Sequence, residues 1–237
     1  MNSPARRHYL RTAAALAAAA GAAQEDLPPA TANAYELMLR QLAEHRRTLK
    51  SIQSIERKVE AKRGFLPVYA PWVDGVLQAD RGGQDDVLVT VLVWRIDTGD
   101  LAGALTLAEY AVRHGLTPPD HYQRGLPCIV AEEFAEVALR QLAAGELADV
   151  AALEGAADLT AGHDMPDEVR AKLYKALGYA LREAAPQQAL DYLHAALKAH
   201  DKVGVKKDIE RLEREIRKAA EPPATEQPNT APATGQG

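Results

Sequence analysis

Gln84-Asp85-Asp86-Val87-Leu88-Val89-Thr90-Val91-Leu92-Val93-Trp94 is the stretch on which the fold class turns. Its β-branched residues predict a strand. Its apolar character on every side predicts a helix buried on all faces. The flanks decide between the two. Asp85 and Asp86 stand where helix N-caps stand, and Thr98-Gly99-Asp100 closes the segment as a helix–helix turn would. The segment therefore reads as a buried helix, and the chain as all-α. Composition agrees: aromatics are only 5% of the residues, while Ala and Leu, both good helix formers, dominate the apolar set.

C-terminal to this segment, a helix from Leu101 to His114 ends at Gly115. The pair 84–97 and 100–114 resembles a tetratricopeptide hairpin, with Asp100-Leu101-Ala102-Gly103-Ala104-Leu105 opening its second helix. A fainter pair covers 166–184 and 186–200, with further helices at 128–144, 147–158 and 205–220. Stacked helix pairs of this kind serve protein contacts. The last helix carries Val205, Ile209, Leu212 and Ile216 on one stripe, with Glu210–Arg214 and Glu213–Arg217 as i,i+4 pairs. The Pro-, Thr- and Gly-rich segment 221–237 reads as a disordered tail.

N-terminal to it, Leu66 to Trp72 contains Pro67 and Pro71 and predicts a rigid aromatic connector leading into a short helix at 72–80. Before that, a helix capped by Thr31 or Asn33 runs to about Arg63, where Gly64 and Pro67 stop it. At about 30 residues it spans roughly 45–50 Å. Tyr35, Met38, Leu42, Leu49, Ile52 and Val59 follow a 3-4 spacing, with His45 and Glu56 at two seam positions. Two readings stand side by side: a coiled coil of about four heptads, or a long helix packed on its own body. Residues 5–23 form an earlier basic-to-apolar helix, followed by a break at Gln24 to Ala30. Its Arg6-Arg7 opening and Ala-rich continuation look like a twin-arginine export signal. Poly-Ala is equally a helix former that buries a narrow face. No stretch is long and apolar enough to span a membrane. The expected organisation is a basic helical region at 1–63, a helical body at 64–220, and the tail at 221–237.

The net charge of −5 conceals a polarity. Residues 1–63 hold eleven Lys and Arg against six acids, a balance of +5, and the remainder carries −10. A basic front on an acidic body fits one end facing a polyanion and another facing protein. Arg6, Arg7 and Arg11 form one cationic cluster. Arg40, Arg46, Arg47 and Lys50, then Arg57, Lys58, Lys62 and Arg63, stud the long helix. Such side chains neutralise phosphates and release counterions, and they equally make up an ordinary solvated helix face. With Pro28-Pro29 between the two basic helices, no helix-turn-helix is assigned.

Catalytic constellations are sparse. The phosphate-loop, dinucleotide-fingerprint and H-E-x-x-H patterns are all missing, so no cofactor is assigned. His114, His121 and Cys128 recur every seven residues beside Asp120, but they straddle a Pro-containing loop, and no metal is assigned to them. The lone Cys128 forms no internal disulfide and suits a reducing compartment. The acidic clusters are Asp85-Asp86 and Glu132-Glu133-Glu136. Metal-dependent cleavage would need acids converging on ions roughly 4 Å apart, and helix capping and dipole complementation explain these acids without it. The set Asp85, Asp86 and Asp97 is the alternative catalytic candidate.

Several stretches resemble the small terminase subunit of P-two-like temperate phages, a family often labelled "terminase, endonuclease subunit". They are Ser3-Pro4-Ala5-Arg6-Arg7-His8, Arg47-Thr48-Leu49-Lys50, Pro71-Trp72-Val73, Gln84-Asp85-Asp86 through Trp94-Arg95-Ile96-Asp97-Thr98-Gly99-Asp100, Met165 to Leu173, and Gly204-Val205-Lys206-Lys207. The resemblance covers about residues 3–218. It implies a protein of the host cytoplasm that binds double-stranded viral DNA at the packaging site, forms a homo-oligomeric ring, and recruits or regulates the large terminase subunit, which carries the ATPase. It implies no membrane partner and turns the reading of Arg6-Arg7 away from export. A DNA endonuclease and a helical scaffold without DNA contact are the alternatives. Some relatives end in a basic tail, whereas Thr225 to Gly237 contains no Lys or Arg, so no DNA role falls to the tail.

Overall fold

The computed structural model describes residues 3–20, 29–118 and 123–220. Among them are ten helices and no strand: α1 (Pro4–Ala20), α2 (Pro29–Ser51), α3 (Ile55–Ala79), α4 (Asp86–Asp97), α5 (Leu101–Arg113), α6 (Leu126–Ala143), α7 (Val150–Thr160), α8 (Asp167–Leu181), α9 (Pro186–Ala199) and α10 (Lys206–Ala220).

The ambiguous apolar stretch is helix α4. Asp85 caps it, its carboxylate accepting from the backbone N–H of Leu88 at 2.9 Å. Val87 to Leu92, Trp94 and Ile96 are all buried, because α3, α5 and α6 surround this helix. A helix enclosed on that many sides has no polar face to show. β-Branched residues are acceptable in it because burial outweighs their small propensity cost.

The N-terminal region departs from expectation. The anticipated single helix ending near Arg63 is two helices, broken at Ile52-Gln53-Ser54. Ser54 caps α3, its Oγ accepting from the N–H of Arg57, while the Ser51 Oγ donates to the carbonyl of Thr48 at 2.7 Å. The chain then reverses, and α2 and α3 lie antiparallel: Tyr35 stacks on Trp72 and His45 on Phe65, the latter with ring centroids 3.8 Å apart. Tyr35, Met38 and Leu42, read as the seam of a coiled coil, are buried within this chain. The four-heptad coiled coil is therefore not formed along 31–63, and the stripe packs on the protein's own body.

Nor do Gly64, Pro67 and Pro71 end the helix. All three lie within α3, so the expected connector at 66–72 and the short helix after it are parts of one 25-residue element. Each proline forfeits one backbone hydrogen bond, but burial of Tyr69, Trp72, Val73 and Val76 holds the helix together. Position 63/64 falls within α3, after its ninth residue. The core is continuous from Leu10 on α1 to Leu177 on α8, with a smaller cluster where α8, α9 and α10 meet. Thr31 and Asn33 lie inside α2, which starts at Pro29. The expected break before that helix falls mostly outside the described residues, as do His121, Asp120 and the tail at 221–237.

The Ala-rich segment packs closely as α1. Leu10, Ala13, Ala14 and Ala18 are buried, chiefly against α3. A Cβ at Gly75 would stand 2.2 Å from the carbonyl oxygen of Arg11, so the two helices approach to a distance that only glycine permits. Each of the pairs α4–α5, α6–α7 and α8–α9 packs in contact, and α10 covers α9 with Ile209 and Leu212, next to Val205 just before it. On α10 the i,i+4 ion pair is Arg211–Glu215 at 2.9 Å, with Glu215 also held by Arg182, the residue following α8. The anticipated Glu210–Arg214 contact is instead a bond from the Arg214 Nε to the Glu210 carbonyl, and Glu213 faces His194. No described helix is long and apolar enough to cross a membrane.

Candidate nucleic-acid interface

Reversal of the chain at 52–54 brings together cations that a continuous helix would keep apart. Arg46 and Lys62 are sixteen residues apart, which is roughly 24 Å along one helix. In the hairpin they face the same cleft of about 610 Å³, lined by Arg46, Leu49 and Lys50 of α2, Lys58 and Lys62 of α3, and Val89, Thr90, Val93, Trp94 and Asp97 of α4. Four cations thus border a cleft whose inner wall is apolar, and Asp97 is its one acid.

Two of the cations are fixed. The Arg46 Nη2 donates to the Thr90 Oγ1 at 2.7 Å, and that hydroxyl donates in turn to the carbonyl of Asp86. Lys62 pairs with Asp97, and next to it the Arg63 Nη2 donates to the carbonyl of Thr98 at 3.0 Å. Lys50 and Lys58 form no ion pair among the described residues, which leaves their ammonium groups available to an anion. Behind the cleft, His45, Phe65, Tyr69 and Trp94 form an aromatic cluster. Burial lowers the pKa of His45, whose Nδ1 lies 2.7 Å from the Tyr69 hydroxyl. The same burial raises that of the Tyr69 phenol.

Among the basic residues singled out from sequence, Arg46 and Lys50 line the cleft. Arg47 is exposed, and its Nε is bonded to the Ala43 carbonyl. Arg40 lies on the outer surface opposite Glu36, at 3.7 Å. Arg6, Arg7 and Arg11 belong to α1, where Arg11 is level with Gly75 and Ala18 with Gly83, so α1 runs parallel to α3. Arg7 is therefore offset from Lys62 by roughly 14 Å along that axis. The α1 cluster and the cleft are separate basic sites. Lys58 and Lys62 were visible in the sequence as basic residues, but their convergence on Arg46 and Lys50 depends on a turn that contains neither Gly nor Pro.

The acidic residues are dispersed. Asp85 is fully buried, capping α4 and accepting from the Trp72 Nε1 at 2.7 Å. Burial holds its carboxyl above the ordinary carboxylate range despite those two donors. Asp86 is partly exposed and bonded to Gln84. Asp97 lies eleven residues further along α4, roughly 16 Å away, and is paired with Lys62. In the other acidic cluster, Glu132 is paired with Arg124 and Glu136 with Lys172, while burial and the neighbouring Glu136 raise the pKa of Glu133. His114 is bound to Asp80, and Cys128 is buried. Among the described residues, no three His, Cys, Asp or Glu side chains are grouped to hold a metal ion.

The fold and its basic cleft are those of a protein matching the phage small terminase subunit family over residues 39–168, more than half of the chain. The chain belongs to that family. It is 48% identical to the terminase, endonuclease subunit of Escherichia phage P2 over 223 residues, 94% of this chain and 89% of the relative. It is 27% identical to the probable terminase, endonuclease subunit of Haemophilus phage HP1 (strain HP1c1) over 179 residues, 69% of this chain and 63% of that protein. No solved structure matches the chain. The residues that line the cleft all fall inside the family match, whereas Arg6, Arg7 and Arg11 lie before it.

Proposed function

We propose that this chain acts in phage genome packaging by holding double-stranded viral DNA at the packaging site, in the host cytoplasm, and presenting it to the large terminase subunit. The observation that carries the reading is the basic cleft, where Lys50 and Lys58 offer unpaired ammonium groups beside the fixed Arg46 and Lys62. Two lysines, an arginine and a paired lysine suit phosphate oxygens, so the contact positions the duplex more than it reads base sequence. Arg47 and the α1 cluster Arg6, Arg7 and Arg11 extend the footprint. The chain assembles as a homo-oligomer, a ring, and the tetratricopeptide-like pairs α4–α5 and α8–α9, with α10, face the large subunit.

The relatives' names favour a second reading, in which this subunit itself cuts DNA. Asp86 and Asp97 are both partly exposed, but Asp85 is bonded to Trp72, Asp97 to Lys62 and Asp86 to Gln84. A scaffold without DNA contact is the third reading. DNA binding by the pure protein, measured against salt concentration, tests the proposal. Affinity that is indifferent to salt and unchanged by Lys50→Ala with Lys58→Ala overturns it. Nicking of packaging-site DNA in magnesium that is lost in Asp86→Ala supports the endonuclease reading.

A further inference from the structure

From the tip of the α2–α3 hairpin we infer a specific mode of DNA engagement: Ile55 is an apolar wedge that enters the minor groove and opens a base step. The inference rests on the DNA-binding reading above and adds to it a mechanical effect on the duplex. Ile55 is 80% exposed at the first residue of α3. Burial would be the ordinary fate of such a side chain, and scattered exposure alone means little. Tyr9, Leu16 and Leu37 are less exposed, at 47–58%, and lie along α1 and α2, whereas Ile55 stands at a turn between helices. Leu147 is also exposed, but Glu146 and Asp149 flank it in a turn that repels a polyanion. Ile55 stands between Lys50 before the turn and Arg57 and Lys58 after it, with Glu56 the one nearby acid, in the first turn of α3, where it complements the helix dipole.

The tip is also well braced. Ser54 caps α3, the Ser51 hydroxyl is bonded to Thr48, and the N–H of Ile52 donates to the Leu49 carbonyl at 3.3 Å. A braced, basic projection ending in one aliphatic side chain matches the physical requirements of a groove wedge. The cations hold phosphates on either side, and the apolar group replaces a lost stacking contact and bends the duplex. Flexible pyrimidine–purine steps yield most easily.

The full-length protein is mixed with a 30-bp duplex of mixed sequence with central TA steps, carrying dyes at its two ends and 2-aminopurine beside the central step. The wild type is expected to bring the dyes closer and to raise 2-aminopurine emission at least twofold. Ile55→Ala is expected to keep affinity within about threefold while losing most of both signals, and Ile55→Phe to retain them. Lys50→Ala with Lys58→Ala loses affinity first. Since Ile55 is exposed, its variants are expected to keep wild-type circular dichroism. Binding by the wild type with no change in either signal overturns the wedge and leaves the DNA-binding reading intact. So does an Ile55→Ala variant with undiminished signals, or one whose only defect is in self-association, which would make Ile55 a protein contact. Absence of DNA binding by the wild type overturns both.

Discussion

The Trp72 indole donates a 2.7 Å hydrogen bond to the Oδ2 of Asp85, while the other carboxylate oxygen caps α4 through the N–H of Leu88. One side chain thereby joins the C-terminal half of α3 to the start of α4. The Trp72 ring is stacked on Tyr35 of α2, whose hydroxyl accepts from the N–H of Asp86, and the four residues form a closed arrangement across three helices.

Asp85→Ala is expected to destabilise the fold by about 2–4 kcal/mol, from the lost cap and the orphaned indole N–H. Chemical denaturation checks this. Asp85→Asn keeps an acceptor oxygen and is expected to cost less. Because burial raises the Asp85 pKa, ionising it disfavours the folded state, and its contribution to stability falls as pH rises from the unfolded value of 3.8 through the folded one. The difference in stability between Asp85→Asn and wild type should shift in favour of the variant over that window.

His45 has the opposite pH signature. Its folded pKa lies below 6.5 because burial disfavours the imidazolium. Stability from this site is present above pH 6.5 and declines as pH falls toward the folded value. Thermal melts at closely spaced pH values should show this component in the wild type and lose it in His45→Gln, which retains an acceptor for the Tyr69 hydroxyl.

Two glycines of α3 should respond to alanine with opposite signs. At Gly75 the added methyl meets the Arg11 carbonyl, and a loss of roughly 1–3 kcal/mol is expected, with faster proteolysis within α1. At Gly64 nothing lies within 4 Å of the added Cβ, and a gain of roughly 0.5–1 kcal/mol is expected. Equal effects at the two positions would contradict the close approach of α1 to α3.

Replacing Lys50 and Lys58 together by alanine is expected to reduce the slope of log affinity against log salt by about 1.8, from roughly 0.9 per phosphate contact. Arg40→Ala, on the outer surface beside Glu36, should leave the slope unchanged. Fluorescence anisotropy with a labelled duplex over a range of salt concentrations measures both.

Much of the helical body was legible because its punctuation is local. Asp85 and Asp100 cap helices through their own side chains, and Gly115 takes the positive φ that ends α5. The N-terminal hairpin was not, for two physical reasons. Its turn at Ile52-Gln53-Ser54 lacks Gly and Pro and interrupts an apolar periodicity that continues on either side. Its second helix survives Pro67 and Pro71 because tertiary burial outweighs the lost backbone bonds. The basic residues of the candidate interface were visible one by one, but their meeting across the cleft follows from that turn.

The adjacent residues Lys62 and Arg63 both hold the C-terminal end of α4, one through Asp97 and the other through the carbonyl of Thr98. Two anchors on successive residues of one helix resist rotation as well as separation. One wall of the cleft is thereby tied to the other at its α4 end. Through Lys62 and Arg63 the hairpin is pinned to α4 at two successive points, like a bracket fastened by two screws rather than one.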